Sequence, residues 1–168
     1  EAQRGAASTA MRVGLMLRLS TNQRDDVQRE FQTALDICER LAAAGASNEE
    51  NQHELSRALI FMGDVQSAGR QLDAAQAHYA RAHDIRRALL AVKPDSQVFL
   101  RMVAESSSKL GYLFFGRERL AEARTNYEEA LEINRRLVAV DRSNALRQRD
   151  LSATLNAMGD VLEKQNLL

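Results

Sequence analysis

One pattern occurs three times in this chain, running from Phe31 to Ala43, from Tyr79 to Ala91 and from Tyr127 to Ala139, each copy 48 residues after the last. In every copy an aromatic is followed three residues later by alanine (Ala34, Ala82, Ala130) and six later by isoleucine (Ile37, Ile85, Ile133). A fixed period of this size marks stacked units, because a single unit cannot bury its apolar face alone. The chain must therefore fold as a row of similar pieces.

Within each copy the apolar residues fall at three- and four-residue intervals. Tyr127, Ala130, Leu131, Ile133 or Asn134, and Leu137 share one stripe, while Glu128, Glu129, Glu132, Arg135 and Arg136 face elsewhere. This is the pattern of an amphipathic helix. The same logic places helices at about 23–44, 71–92 and 118–140. A different helix precedes each of them. Leu55-Ser56 to Met62-Gly63-Asp64-Val65 repeats as Leu151-Ser152 to Met158-Gly159-Asp160-Val161, two periods later, and Leu110-Gly111 fills the register between. A first copy near Val13-Gly14 is one residue out of step. Gly45 reads as a helix stop, Ser47 with Glu50 as a capping box, and Lys93-Pro94-Asp95-Ser96 as the close of one helix and the start of the next. Gly69 and Gly116 mark the tighter turns. The expectation is three helical pairs and an unpaired last helix, about seven helices with no linker.

Gly63, Gly111 and Gly159 interrupt helical patterns, where glycine costs about 1 kcal/mol against alanine. A repeated cost implies a repeated gain, and close approach of the paired helix supplies it, with Ala75 and Ala123 facing the glycines. This combination resembles the tetratricopeptide repeat family. That family places Leu-Gly in a first helix, a small residue about twelve positions on, an aromatic four later and alanine three after that. Leu110-Gly111, Ala123, Tyr127, Ala130 follow this order, as do Met62-Gly63, Ala75, Tyr79, Ala82 and, less closely, Val13-Gly14, Val27, Phe31, Ala34. The usual repeat of that family is about 34 residues, so the helices here are lengthened. The wording Arg149-Asp150-Leu151-Ser152 before Met158-Gly159-Asp160 is similar to a long-repeat bacterial variety often joined to signalling domains. The resemblance implies an all-α fold: a right-handed superhelical solenoid of antiparallel helix pairs, with a single domain over residues 1–168. The repeats would run at about 7–54, 55–102 and 103–150, with a partial one at 151–168. The chain opens on Glu1 without methionine, and the reading expects a fragment of a larger, cytoplasmic protein.

Lysine plus arginine and aspartate plus glutamate each number 23. This balance lacks the basic excess of a nucleic-acid binder. No run reaches the roughly 18 apolar residues of a membrane helix, and no nucleic-acid or membrane partner is expected. His78 and His83 are five apart and do not share a helix face, and no metal set is completed around them or His53. All three read as solvent-facing. Cys38 replaces Arg86 and Asn134 of the other copies and reads as a partly exposed structural thiol. Adjacent acidic pairs such as Glu128-Glu129 point about 100° apart and make poor acid–base dyads. The sequence thus predicts no catalytic group, metal or cofactor, and no enzyme.

The resemblance implies a concave groove lined by first helices. Its groove-facing positions fall on Met11, Arg12, Leu15 and Arg18; on Arg57, Ile60, Phe61 and Asp64; on Glu105, Ser108, Lys109, Tyr112 and Phe115; and on Asn156 and Asp160. Phe61, Tyr112 and Phe115 read either as core between successive pairs or as apolar pockets flanked by Arg12, Arg57 and Lys109. Asp64 and Asp160 stand where family members that clamp a terminal carboxylate place asparagine, which disfavours such a ligand. The expected function is a protein–protein interaction scaffold that takes a peptide or helix of a protein partner, the recruitment module of a larger signalling protein. The alternatives are a small-ligand sensor and a self-association module. The apolar stripe Leu151, Leu155, Met158, Val161, Leu162 suggests a homo-oligomer through the last helix, 151–168.

Overall fold

The computed structural model describes Arg12 and residues 24–45 and 48–166. Among these residues six helices follow one another: α1 Arg24–Ala44, α2 Glu49–Ala68, α3 Leu72–Val92, α4 Gln97–Gly116, α5 Leu120–Val140 and α6 Ala145–Asn166. The described residues contain no strand. The expected second helices are α1, α3 and α5, with bounds that differ by no more than two residues. The expected leading helix, with Met11, Leu15, Arg18 and the Val13-Gly14 pair, lies outside the described residues apart from Arg12. The chain divides into two compact units, one ending at Ile85 and one beginning at Arg86, so the division falls within α3.

The long helices start at the same register of each repeat. Asn48 accepts a hydrogen bond from the Asn51 amide (3.1 Å), Ser96 from the Phe99 amide (3.3 Å) and Asn144 from the Arg147 amide (3.2 Å). These side chains satisfy N–H groups that the first turn leaves unpaired. The cap of α2 is therefore Asn48, not a box opened by Ser47, which lies outside the described residues. Glu49 and Glu50 in the first turn of α2 add the favourable charge for a helix N-terminus.

The tight turns lie at Gly69 and directly after Gly116, as the sequence reading has them. Gly69 and Gly116 have ordinary negative φ; the left-handed residues are Arg70 and Glu118, each with φ of 60° and again 48 residues apart. They let the Gln71 amide reach the Gln66 carbonyl (2.8 Å) and the Arg119 amide the Phe114 carbonyl (2.9 Å). That closure pairs carbonyls that the last helical turn would leave open. A side chain there costs about 1–2 kcal/mol, which the turn geometry offsets.

In the first unit α1 packs on α2, and the α2–α3 pair is joined where Tyr79 lies over Gly63. A Cβ on Gly63 would stand 2.5 Å from the Tyr79 ring, closer than any non-bonded carbon contact. The ring is buried and its hydroxyl donates to Asp64 at 2.6 Å, so it cannot move aside. Phe31 of α1 stacks on Phe61 of α2, with centroids 5.3 Å apart. In the second unit α4 packs on α5 and α5 on α6. Tyr127 lies over Gly111, where a Cβ would meet the ring at 2.8 Å. Leu100, Val103 and Ala104 close on Ala130, Ile133 and Leu137. The tyrosine rings lie nearest the glycines, and Ala75 and Ala123, one turn earlier, are fully buried in the same helix pairs. Second helices are also tied by ion pairs of reversed polarity: Glu39 with Arg81 in the first unit, and Arg87 with Glu129, at the matching registers, in the second.

Two outcomes follow for stability. Gly63→Ala and Gly111→Ala should each lower it by about 1–3 kcal/mol through overpacking, read from chemical denaturation midpoints. Arg70→Gly should raise it by about 0.5–1 kcal/mol, the left-handed strain less glycine's chain entropy.

Candidate functional site

In the second unit a groove of about 350 Å³ opens between α4 and α6. Arg101, Ala104, Glu105, Ser108 and Lys109 form one wall; Asp150, Ala153, Thr154 and Ala157 form the other. Tyr127 and Asn134 of α5 make the floor. The alanines and serine keep it open, because larger side chains at these positions would bring the walls into contact.

The polar groups around the groove are fixed. Arg101 Nε meets Asp150 Oδ2 at 3.0 Å, bridging the two walls. Glu105 is held by the Arg86 guanidinium at 3.2 Å, and Arg86 also donates to the Met102 carbonyl at 2.7 Å. Asn134 donates to Thr154 Oγ1 at 3.0 Å and to the Asp150 carbonyl at 3.4 Å. Burial, then the charge of Asp160, then Tyr112, push the Tyr127 hydroxyl up to about 12. It stays protonated at physiological pH, a neutral phenol at the groove floor.

Arg86 and Asn134 occupy one register, and Cys38 is its third member. All three are buried, at 2%, 4% and 1% exposure. This corrects the reading of Cys38 as partly exposed. The substitution of cysteine by arginine or asparagine reflects a polar pocket inside the packing, not a surface. Arginine and asparagine there each reach the next helix: Arg86 meets a carbonyl sixteen residues on, as Asn134 does. Burial, reinforced by Glu54 and opposed by Arg57, pushes the Cys38 thiol up to about 11. The histidine expectation is also corrected in part. His83 is buried, and His78 is half-buried with Nδ1 2.7 Å from Gln66 Oε1. Among the described residues no group of three or more His, Cys, Asp or Glu could hold a metal.

The structure distributes the sequence-predicted residues unevenly. Lys109 lines the groove with Glu105 and Ser108. Tyr112, 67% exposed, and Phe115, whose ring lies 5.4 Å from the Lys164 ammonium, lie beyond its lining. Asn156 and Asp160 are exposed on α6, but Ala153 and Ala157 make its wall. Ala153 and Ala157 hold the registers of Glu105 and Lys109, 48 residues on, so the two walls share part of one face, and the expectation erred in taking Asn156 and Asp160 from that face of α6. In the first unit Arg57 pairs with Glu54 at 2.9 Å, Phe61 is stacked on Phe31, and Asp64 is engaged by Tyr79. Ile60, expected to face the groove, is 3% exposed and belongs to the core. Arg12 is helical and exposed; Leu15 lies outside the described residues. Sequence reasoning missed Arg101, Asp150 and Thr154, and placed Asn134 only as an alternative member of the inner stripe. The polar Arg86 and Asn134, each directly after the isoleucine of its repeat, were the available signal.

The structure is similar to the crystal structure of BtubC (BKLC) from P. vanneervenii, with a TM-score of 0.71 over 95% of this chain at 15% identity. It is also similar to the yeast histone chaperone Hif1, described as a scaffold protein recruiting protein complexes to core histones, with a TM-score of 0.66 over 89% of this chain at 18% identity. The chain spans 56% and 59% of the lengths of these two proteins. At such identities the likeness shows the fold alone, an all-helical, repeat-like arrangement. No family model matches the sequence, and no curated protein matches it. No helix among the described residues is long and apolar enough to cross a membrane.

The folded protein should resist thiol reagents at pH 8 and expose one reactive thiol on denaturation, because a buried thiol of raised pKa supplies almost no thiolate. Prompt labelling of the native protein by Ellman's reagent would place Cys38 outside the core.

Proposed function

We propose that the chain is a tetratricopeptide-like interaction module that takes a peptide or helix of a protein partner in the groove between α4 and α6. The observation that carries this reading is the groove itself. It has narrow walls of alanine and serine, fixed charges at Arg101–Asp150 and Glu105, and Lys109 and Tyr127 beside the small side chains. A cleft of this shape accepts a side chain of a ligand between the walls while the charged groups set its direction. The resemblance of Met62-Gly63, Ala75, Tyr79, Ala82 and their later copies to that repeat family supports the same use. So does the likeness in fold to a protein described as a recruiting scaffold. We further propose that the module serves recruitment within a larger signalling protein and works without chemistry of its own.

Peptide display against the immobilised chain tests this. Selected peptides should lose at least about tenfold in affinity, about 1.4 kcal/mol, when Ala153→Trp fills the groove or Lys109→Ala removes its ammonium. Peptides indifferent to both changes would place binding elsewhere. A metabolite that raises the melting temperature of the wild type but not of Ala153→Trp, with no peptide selected, would replace this reading with that of a small-ligand sensor.

A further inference from the structure

The total charge of the chain is balanced, but the second unit is polarised along its helices. Residues 86–101 and their counterparts one period on, 134–149, make up one end of it: the close of α3 and α5 and the start of α4 and α6. These two stretches hold nine Arg or Lys against two Asp, whereas the rest of the unit holds five against nine acidic residues. Arg147 laces this end together, donating to the Leu137 carbonyl at 3.0 Å and to Gln97 Oε1 at 2.5 Å. Arg86, Arg87 and Arg101 are paired with Glu105, Glu129 and Asp150. Lys93, Arg135, Arg136, Arg142 and Arg149 are exposed.

Four aliphatic side chains stand at the same end. Val92 closes α3 and is 75% exposed, and Val98 in the first turn of α4 is 61% exposed. One period on, Val140 closes α5 and Leu146 opens α6, at 64% and 40%. The exposure belongs to the register, not to a place in the row. α4 has α5 and α6 beside it, and Leu90 at the end of α3 packs against its core residues, yet Val98 stays open. Single exposed aliphatics are ordinary. Four on two laced turns, ringed by cations, form a patch of the kind that marks an interaction site.

We infer that this edge docks on an anionic lipid surface. Exposed cations are drawn to the negative surface potential of such a bilayer. The aliphatic tips then enter the boundary between headgroups and acyl chains. Long Arg and Lys stems keep their charges at headgroup level while the tips go deeper. The acidic excess of the other end is repelled, so the unit stands on its turns. The basic excess calls for an acidic partner, and the tips decide which kind. None of the four lines the groove, and a peptide needs a recess for its side chains, whereas a bilayer accepts apolar tips that stand singly. The expectation of no membrane partner rested on total charge and on spanning length, and neither bears on an edge.

Co-sedimentation with extruded vesicles tests this. Vesicles of phosphatidylserine and phosphatidylcholine, at about 1:3, should carry the full chain down, and pure phosphatidylcholine should bind it at least about tenfold more weakly. Val98→Ser with Leu146→Ser, and separately Lys93→Glu with Arg142→Glu, should each lower the partition by about fivefold or more. All four side chains are exposed, so melting temperatures should not move, which separates lost binding from lost folding. Ala153→Trp should leave the partition unchanged, so this edge and the groove fail independently. An environment-sensitive dye on Val98→Cys should shift to the blue with the anionic vesicles, with the buried Cys38 unlabelled. The same dye on Tyr112→Cys, 67% exposed toward the other end, should not shift. Absence of sedimentation, sedimentation indifferent to Val98→Ser with Leu146→Ser, or equal dye shifts at the two positions would overturn the proposal. So would a structured RNA that binds this variant as tightly as the wild type while vesicles bind neither, by assigning the cations to nucleic-acid phosphates.

Discussion

The seating of a tyrosine ring on a helical glycine is the constraint on which the rest of this structure depends. Tyr79 over Gly63 and Tyr127 over Gly111 bring paired helices to a distance at which no side chain fits between ring and backbone. That distance fixes how far Ala75, Ala82, Ala123 and Ala130 penetrate, and all four are fully buried. It also sets where α5 lies beneath α4 and α6, and so puts Tyr127 at the floor of the groove. A tyrosine serves both purposes because its ring fills the seat while its hydroxyl remains in reach of polar groups on the next helices.

A second register varies where the first repeats. Cys38, Arg86 and Asn134 take the same place in successive copies, yet they differ in size, charge and hydrogen-bonding capacity. Their surroundings change with them. Arg86 is matched by Glu105 and the Met102 carbonyl, Asn134 by Thr154, and Cys38 lies near the Arg57–Glu54 pair. A buried polar group left without a partner costs about 1–3 kcal/mol, so each of these residues is tolerated only beside its own helix neighbour. The register gives successive repeats distinct interfaces, and in the second unit it also furnishes the groove: Asn134 is its floor and Glu105 part of its wall.

Much of the fold was legible in the sequence because it depends on local order. The three-and-four spacing of apolar residues located α1, α3 and α5, and the shared Ser-Asn and Asp-Ser stretches announced helix starts. The left-handed turns were not legible. Glycine is the residue expected at such a position, and Gly69 and Gly116 stand beside the places that Arg70 and Glu118 take. The turn is imposed by the helices it joins, and the local sequence merely bears it. Of the candidate site, Lys109, Glu105 and Ser108 were legible from one helix face. Ala153 and Ala157 hold the registers of Glu105 and Lys109 and were within reach of the period, whereas Asp150 was not, because its register is filled in α4 by Met102, which is buried.

The sequence by itself determined that this chain is a row of helical pairs with a common seam. A 48-residue echo of glycine, alanine and aromatic positions admits few other ways to bury its apolar stripes. Tertiary structure alone decided which polar residues lie inside that seam, which flanks enclose a groove, and over which glycines a ring lies. Those outcomes turn on distances between residues far apart in the chain. Gly63, Gly111 and Gly159 are alike as letters, and only packing shows that, among the described residues, a ring lies over two of them and not over the third.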